Sequence, residues 1–173
     1  MPLVLLAAAC REGGGSSSNT NLGLAVDRLV GAGELQALTV SESSQDGSDL
    51  DGDGDALDLV VHVLDFATGE LANLGLAQDG PLAVGGNLLA FGVSEEEQDE
   101  TDLNGDGDTF DVVLHVYDSA TGVATSTGLA LEPTAPLAIG EATVAFLVSE
   151  PSQAGDDLNS DGDALDRVLH AYD

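Results

Sequence analysis

The stretch DLDGDGDALD at residues 49–58 is an acidic loop that the chain repeats twice, as DLNGDGDTFD at 102–111 and as DLNSDGDALD at 157–166. Each copy has a side-chain oxygen at the first, third and fifth positions, a Gly at the sixth and an Asp at the tenth. Ca²⁺ takes about six to eight oxygen ligands, and Gly permits the sharp turn that gathers them. We therefore expect about one Ca²⁺ in each loop.

The candidate ligands are the Asp and Asn side chains at positions one, three, five, seven and ten of each loop. They are Asp49, Asp51, Asp53, Asp55, Asp58, Asp102, Asn104, Asp106, Asp108, Asp111, Asp157, Asn159, Asp161, Asp163 and Asp166. The alternative is that these are solvated acidic turns without a metal. Recurrence of one spacing in three places favours the metal site, because composition alone seldom produces it.

The charge of the chain is concentrated in these loops. There are 32 acids against three Lys and Arg, a net charge of −29, and 43% of the residues are hydrophobic. Of the acids, 22 lie within residues 42–58, 95–111 and 150–166. Phosphate binding needs clusters of Lys and Arg, so nucleic acid is excluded as a partner. The self-repulsion of the loops should oppose folding until cations neutralise it.

Around each loop the similarity extends to a unit of about fifty residues, a period typical of solenoids and propellers. An apolar run ending in Val-Ser-Glu precedes the loop at 35–42, 88–95 and 143–150, and a second run follows it at 59–65, 112–118 and 167–173. Thr-Gly at 68–69 and 121–122 predicts hairpin turns. Shorter apolar segments follow at 73–77, 82–86, 126–130 and 137–141. The pattern predicts an all-β fold, a propeller-like array of four-stranded antiparallel sheets.

The two ends of the chain carry complementary half-units. Residues 21–33 match the third and fourth strands, and residues 142–173 supply a first and a second strand. Propellers commonly close by pairing their termini in one blade. The predicted repeat domain, 20–173, then has units at about 35–86, 87–141, and 142–173 with 20–34. Three blades are fewer than the usual four to eight or so, so a fragment, half of a ring completed by self-association, and an open array remain alternatives.

The loop pattern, placed between two strands of a four-stranded unit, resembles the calcium-binding repeats of integrin-type (FG-GAP-like) β-propellers over residues 35–173. The resemblance implies a cation at the rim of each blade, held by positions one, three, five and ten. The closing Asp stands at position ten here, whereas the integrin-type loop has it at nine and an EF-hand has Glu at twelve. Position seven is expected to offer only its backbone carbonyl.

The first 19 residues read as a signal segment and a flexible linker. MPLVLLAAAC is apolar and ends in small residues before the one Cys of the chain, and GGGSSSNTN follows. This resembles the end of a bacterial lipoprotein signal in which Cys10 is lipidated and anchors the protein to a membrane. A positive leading region is missing and the apolar run is short. The alternative is a truncated signal with an inert Cys10. Both place the protein outside the cytosol, secreted or in the cell envelope.

Two further residue types recur at fixed places in the unit. His62, His115 and His170 each stand four positions after the closing Asp. They could share a transition metal, but a His that hydrogen-bonds a neighbour within a buried strand is the favoured interpretation. The Glu of each Val-Ser-Glu is followed three positions later by Gln. For this Glu we favour a structural partnership with the loop.

The sequence contains no catalytic signature, neither a nucleophile elbow nor a phosphate-binding loop. It indicates an extracellular, calcium-stabilised β-propeller-type binding or scaffold module that is not an enzyme and whose partner is an extracellular protein or glycan. The alternative is a fragment of a secreted propeller enzyme acting on polysaccharide. With four Phe, two Tyr and no Trp, the chain is poor in the aromatic residues that stack on sugars, which counts against the alternative.

Overall fold

The computed structural model describes residues 4–5 and 19–173. Within these residues the chain is all-β, and it has no helix long and apolar enough to cross a membrane. The strands are β1 (Val4–Leu5), β2 (Val26–Ala32), β3 (Leu35–Ser41), β4 (Leu59–Asp65), β5 (Glu70–Gly85), β6 (Leu88–Ser94), β7 (Val112–Asp118), β8 (Val123–Ala130), β9 (Ala138–Ile139), β10 (Val144–Ser149) and β11 (Arg167–Tyr172).

The strands form two antiparallel sheets. In the larger sheet β2 to β8 lie side by side in chain order, and β1 pairs with the start of β5. The smaller sheet has the order β11-β10-β9. The predicted all-β class and antiparallel pairing are confirmed. Neither sheet closes on itself within the described residues.

β5 is a 16-residue strand that belongs to two groups of strands. Its first half pairs with β4 up to Ala77, and its second half pairs with β6 from Gln78. The register shifts between Gln78 and Leu82, where Gly80 has a φ of 72°. Gly tolerates this left-handed conformation, which lets the strand bend there. We call β2–β4 with the first half of β5 the first group, the second half of β5 with β6–β8 the second, and β9–β11 the third.

The two predicted Thr-Gly turns are hairpin turns. Gly69 donates its N–H to the Asp65 carbonyl over 2.7 Å, and Gly122 donates to the Asp118 carbonyl over 2.8 Å. Both glycines have a positive φ, 74° and 71°. These turns join β4 to β5 and β7 to β8.

Two apolar clusters pack the three groups together. The first lies between the first and second groups and includes Val61, Val63, Leu89 and Phe91, and the second lies between the second and third groups around Phe146. Side chains alternate between the faces of a strand, so the second group, buried on both faces, contributes to both clusters. Burying one such side chain contributes about 1.5–3 kcal/mol.

The pairing of the ends differs from the prediction. We expected residues 20–34 to complete the unit at 142–173, but β2 pairs with β3 through the two-residue turn Gly33–Glu34. Within the described residues β11 pairs with β10 alone. A short turn costs less closure entropy than bringing distant segments together. The unit boundaries shift accordingly, because the predicted fourth strand at 82–86 pairs with the first strand of the following unit.

Apart from residues 4–5 and 19, the predicted signal and linker segment lies outside the described residues. The same holds for Cys10.

Candidate metal centre

Each acidic loop is folded by a ladder of side-chain-to-backbone hydrogen bonds. In the first loop Asp51 Oδ1 accepts from Asp53 N (3.3 Å), Asp53 Oδ1 from Asp55 N (2.9 Å), and Asp55 Oδ1 from Leu57 N (2.9 Å). The same three bonds recur in the second and third loops. Asp and Asn favour such local turns. Each bond uses one oxygen of its side chain, so the carboxylates keep a second oxygen outside the ladder.

The Gly at the sixth position performs the predicted role. Gly54, Gly107 and Gly162 have φ values of 107°, 100° and 107°, which side chains with a Cβ rarely adopt. The fourth position is also left-handed, and there the third loop has Ser160, with a φ of 63°, in place of Gly. The sharp turns therefore occur in all three loops.

A fully buried Glu joins the two ends of each loop. Glu42, Glu95 and Glu150 are each 0% exposed. One carboxylate oxygen accepts from the N–H of the second loop residue at 2.5, 2.7 and 2.8 Å, and the other accepts from the tenth at 3.1, 3.1 and 2.8 Å. The expected structural partnership of this Glu with the loop is confirmed.

These Glu residues also belong to the clusters of carboxylates that could hold a cation. Within each cluster one oxygen per residue lies within 4.8 Å of the others. The clusters are Glu42–Asp55–Asp58, Glu42–Asp49–Asp51, Asp51–Asp53–Asp58, Glu95–Asp108–Asp111 and Glu150–Asp163–Asp166. All five predicted ligands of the first loop are included. Position seven was expected to offer only its carbonyl, but its carboxylate is in a cluster in every loop.

Other predicted ligands of the second and third loops stand outside these carboxylate clusters, namely Asp102, Asp106, Asp157 and Asp161. The Asn side chains at position three bond to the closing carboxylate instead. Asn104 Nδ2 donates to Asp111 Oδ2 at 3.3 Å, and Asn159 Nδ2 donates to Asp166 Oδ2 at 2.9 Å. An amide donor therefore occupies one oxygen of the closing Asp in these two loops.

The first loop has Asp51 in place of this Asn and leaves two oxygens unsatisfied. Asp58 is 5% exposed, and its Oδ2 and that of Asp51 are buried without a hydrogen-bond partner. Burial, followed by the charges of Glu97, Asp53 and Asp51, raises the pKa of Asp58 to about 7. Burial is also the main cause that raises the pKa of Asp51. A buried carboxylate is costly unless a cation or donor compensates it.

A Gln three residues after each buried Glu ties the loop region to the preceding strands. Its Oε1 accepts from the N–H of an Ala that ends a Gly-Leu-Ala sequence. The three bonds are Gln45–Ala25 at 2.7 Å, Gln98–Ala77 at 2.9 Å and Gln153–Ala130 at 2.8 Å. The Gln98 and Gln153 bonds each join the turn before a loop to a strand of the preceding strand group.

The His residues are in strands and not in these clusters. His62 and His115 are buried, and each Nδ1 donates to the backbone carbonyl two residues earlier, Val60 at 3.1 Å and Val113 at 3.3 Å. Burial lowers the pKa of both. No His is part of a candidate metal cluster among the described residues. For His62 and His115 this confirms the prediction of a His that hydrogen-bonds a neighbour within a buried strand.

Comparison with protein-family models, with curated proteins and with solved structures yielded no match to this chain. The resemblance to integrin-type repeats therefore stays a prediction, and the function must be inferred from the residues of the site.

Proposed function

We propose that this chain is an extracellular, calcium-stabilised β-propeller-type module that binds a partner or serves as a scaffold and does not catalyse a reaction. One observation carries the proposal. Asp58 is buried with an unpartnered oxygen among the carboxylates of Asp51 and Asp53. A bound cation would satisfy that oxygen and neutralise its neighbours.

The ligand chemistry favours Ca²⁺ over softer metals. The clusters offer carboxylate oxygens, and neither His nor Cys belongs to any of them among the described residues. Ca²⁺ accepts oxygen ligands in flexible geometries, whereas Zn²⁺ is usually held by Cys and His. Millimolar or sub-millimolar affinity is typical of extracellular calcium modules, which agrees with a secreted or lipid-anchored protein.

A propeller-type arrangement is supported by the way the strand groups follow one another. Two four-stranded groups and a three-stranded group are packed in series by two apolar clusters. The chain passes from one group to the next along a bent strand, as in β5. Cations in the loops would then stabilise the edges of such blades, leaving other surfaces to contact an extracellular protein or glycan.

Chelation is the direct test. At a free Ca²⁺ concentration of about 100 times Kd, each site stabilises the fold by about 2.7 kcal/mol, and about 1 kcal/mol shifts the Tm of a domain this size by roughly 2–4 °C. Three sites therefore predict that excess chelator lowers the Tm by about 20 °C. Calorimetric titration should give about three Ca²⁺ per chain, and Mg²⁺ at equal concentration should restore less stability. An unchanged melting curve in chelator would contradict the proposal.

A further inference from the structure

The turn that follows β6 lies beside the first acidic loop, although it belongs to the second strand group. Gln98 in this turn accepts the N–H of Ala77, at the end of the first half of β5. Four residues earlier in the same strand, Asn73 Nδ2 donates to the Leu50 carbonyl of the loop at 2.7 Å. The turn, the strand and the loop are therefore joined by hydrogen bonds.

The equivalent turn of the third group, after β10, contacts the second loop. Asn104 Nδ2 donates to the Ser152 carbonyl at 2.9 Å, and Ala154 N donates to Asp106 Oδ2 at 3.3 Å. The Ser152 side chain also hydrogen-bonds Asp111. The residue two positions after the buried Glu thus reaches the closing Asp of the preceding loop.

In the turn beside the first loop, this position is occupied by Glu97, two residues after Glu95. The charge of Glu97 is the largest electrostatic contribution, after burial, to the raised pKa of Asp58. Partial desolvation is the main cause that raises the pKa of Glu97, although the residue is exposed, and the charges of Asp79, Glu96, Asp55 and Asp51 follow in that order. Glu97 therefore adds a negative charge next to carboxylates that already lack a partner.

No Lys exists in the chain to compensate this charge. The closing Asp of the second loop has two donors, Asn104 and Ser152, whereas the corresponding residues of the first loop, Asp51 and Glu97, are acceptors when ionised. Asp58 Oδ2 and Asp51 Oδ2 are both buried without a hydrogen-bond partner. A cation is the species that all of them can bind together.

We propose that the Glu97 carboxylate is a ligand of the cation in the first loop, so that one ion joins the first strand group to the second. The inference rests on the proposed calcium binding and extends it to a ligand supplied by another unit. The exposed Glu97 side chain has the rotamer freedom to turn toward the ion. The first site then has two more carboxylates than the second, one from the loop and one from the adjoining turn.

Titration calorimetry with Ca²⁺ on three variants tests the proposal. Glu97→Ser installs the residue found at the second loop and should weaken one site by about tenfold or more, because ligand charge sets the affinity of such sites. Glu96→Ser removes the same charge from the adjacent exposed residue and should change each affinity by less than about twofold. Ser152→Glu should strengthen one site.

Amide hydrogen exchange tests whether the bound ion couples the first strand group to the second. Hydrogen exchange at the Ala77 amide, which bonds Gln98, should slow on Ca²⁺ addition in the wild-type protein and slow less in Glu97→Ser. If Glu97→Ser and Glu96→Ser weaken binding equally, Glu97 acts only through net charge and the proposal is wrong. A wild-type chain that binds three ions while Glu97→Ser binds them unchanged also overturns it but leaves the proposed function intact. Absence of any Ca²⁺ binding by the wild type overturns both.

Discussion

At the scale of single residues, the three loops differ in what faces the closing Asp. Asn104 and Asn159 donate to it, whereas Asp51 cannot, and Asp58 is left with a buried, unpartnered oxygen. The three loops thus share one set of turns, but only the second and third have an amide donor for the closing carboxylate. We therefore expect the first loop to be less stable than the others without a metal and to attract a cation more strongly.

Asp51→Asn should therefore have opposite effects on the calcium-free and calcium-bound protein. In chelator, with sucrose added to keep the chain folded, we expect a gain of about 1 kcal/mol, because the new amide can donate to Asp58 Oδ2 as Asn104 does to Asp111. The Ca²⁺ affinity of one site should fall. Chemical denaturation and calorimetric titration measure the two effects.

The matched control is Asn104→Asp in the second loop, which should destabilise the calcium-free protein by a similar amount and strengthen one site. A calcium-free Asp51→Asn protein less stable than the wild type would contradict the assignment of unsatisfied oxygens in the first loop.

At the scale of elements, the Gln side chains connect loops to strands of the preceding unit. Their position three residues after each buried Glu is visible in the sequence. Their partners are not, because Ala77 and Ala130 lie in earlier strands, brought close only by the packing of one group on the next. Similarly, the runs that form β3, β4, β6 and β7 follow from their apolar composition, whereas the joining of 73–77 and 82–86 into one bent strand does not.

Gln98→Leu should destabilise the calcium-loaded protein by about 1–3 kcal/mol, because the Ala77 N–H loses its acceptor in a partly buried place. Equilibrium denaturation in Ca²⁺ measures this. Gln36→Leu is the control, since Gln36 bonds the Gly33 carbonyl within its own hairpin turn. Equal losses of stability in the two variants would mean that the Gln98–Ala77 bond between strand groups stabilises the protein no more than the bond within a hairpin turn.

At the scale of the whole molecule, the third strand group has an apolar side chain exposed to solvent at a position that is buried in the first two groups. Leu169 in β11 is 71% exposed, although its counterparts Val61 and Leu114 are fully buried. β11 is also an edge strand in the described structure. An exposed edge carrying an apolar side chain is a site at which chains pair.

We therefore expect the calcium-loaded protein to self-associate with increasing concentration, and Leu169→Lys to shift it toward the monomer. Sedimentation velocity over a concentration series measures this. Leu57→Lys makes the same charge change at a residue that is 78% exposed on a loop and should have little effect. A wild-type chain that remains monomeric throughout, or two variants that behave alike, would argue against pairing through β11.

The sequence by itself determined the all-β class, the acidic loops with their glycine turns, and the hairpins at 68–69 and 121–122. These features depend on alternation along a strand and on side-chain-to-backbone bonds over two or three residues, which short patterns encode. Only the tertiary structure decided that β2 pairs with β3, that Glu42, Glu95 and Glu150 are buried under their loops, and that Gln98 bonds Ala77 in the preceding strand group. Those facts arise from contacts between segments far apart in the chain, where the choice among many similar apolar strands is made by packing and closure entropy rather than by any local motif.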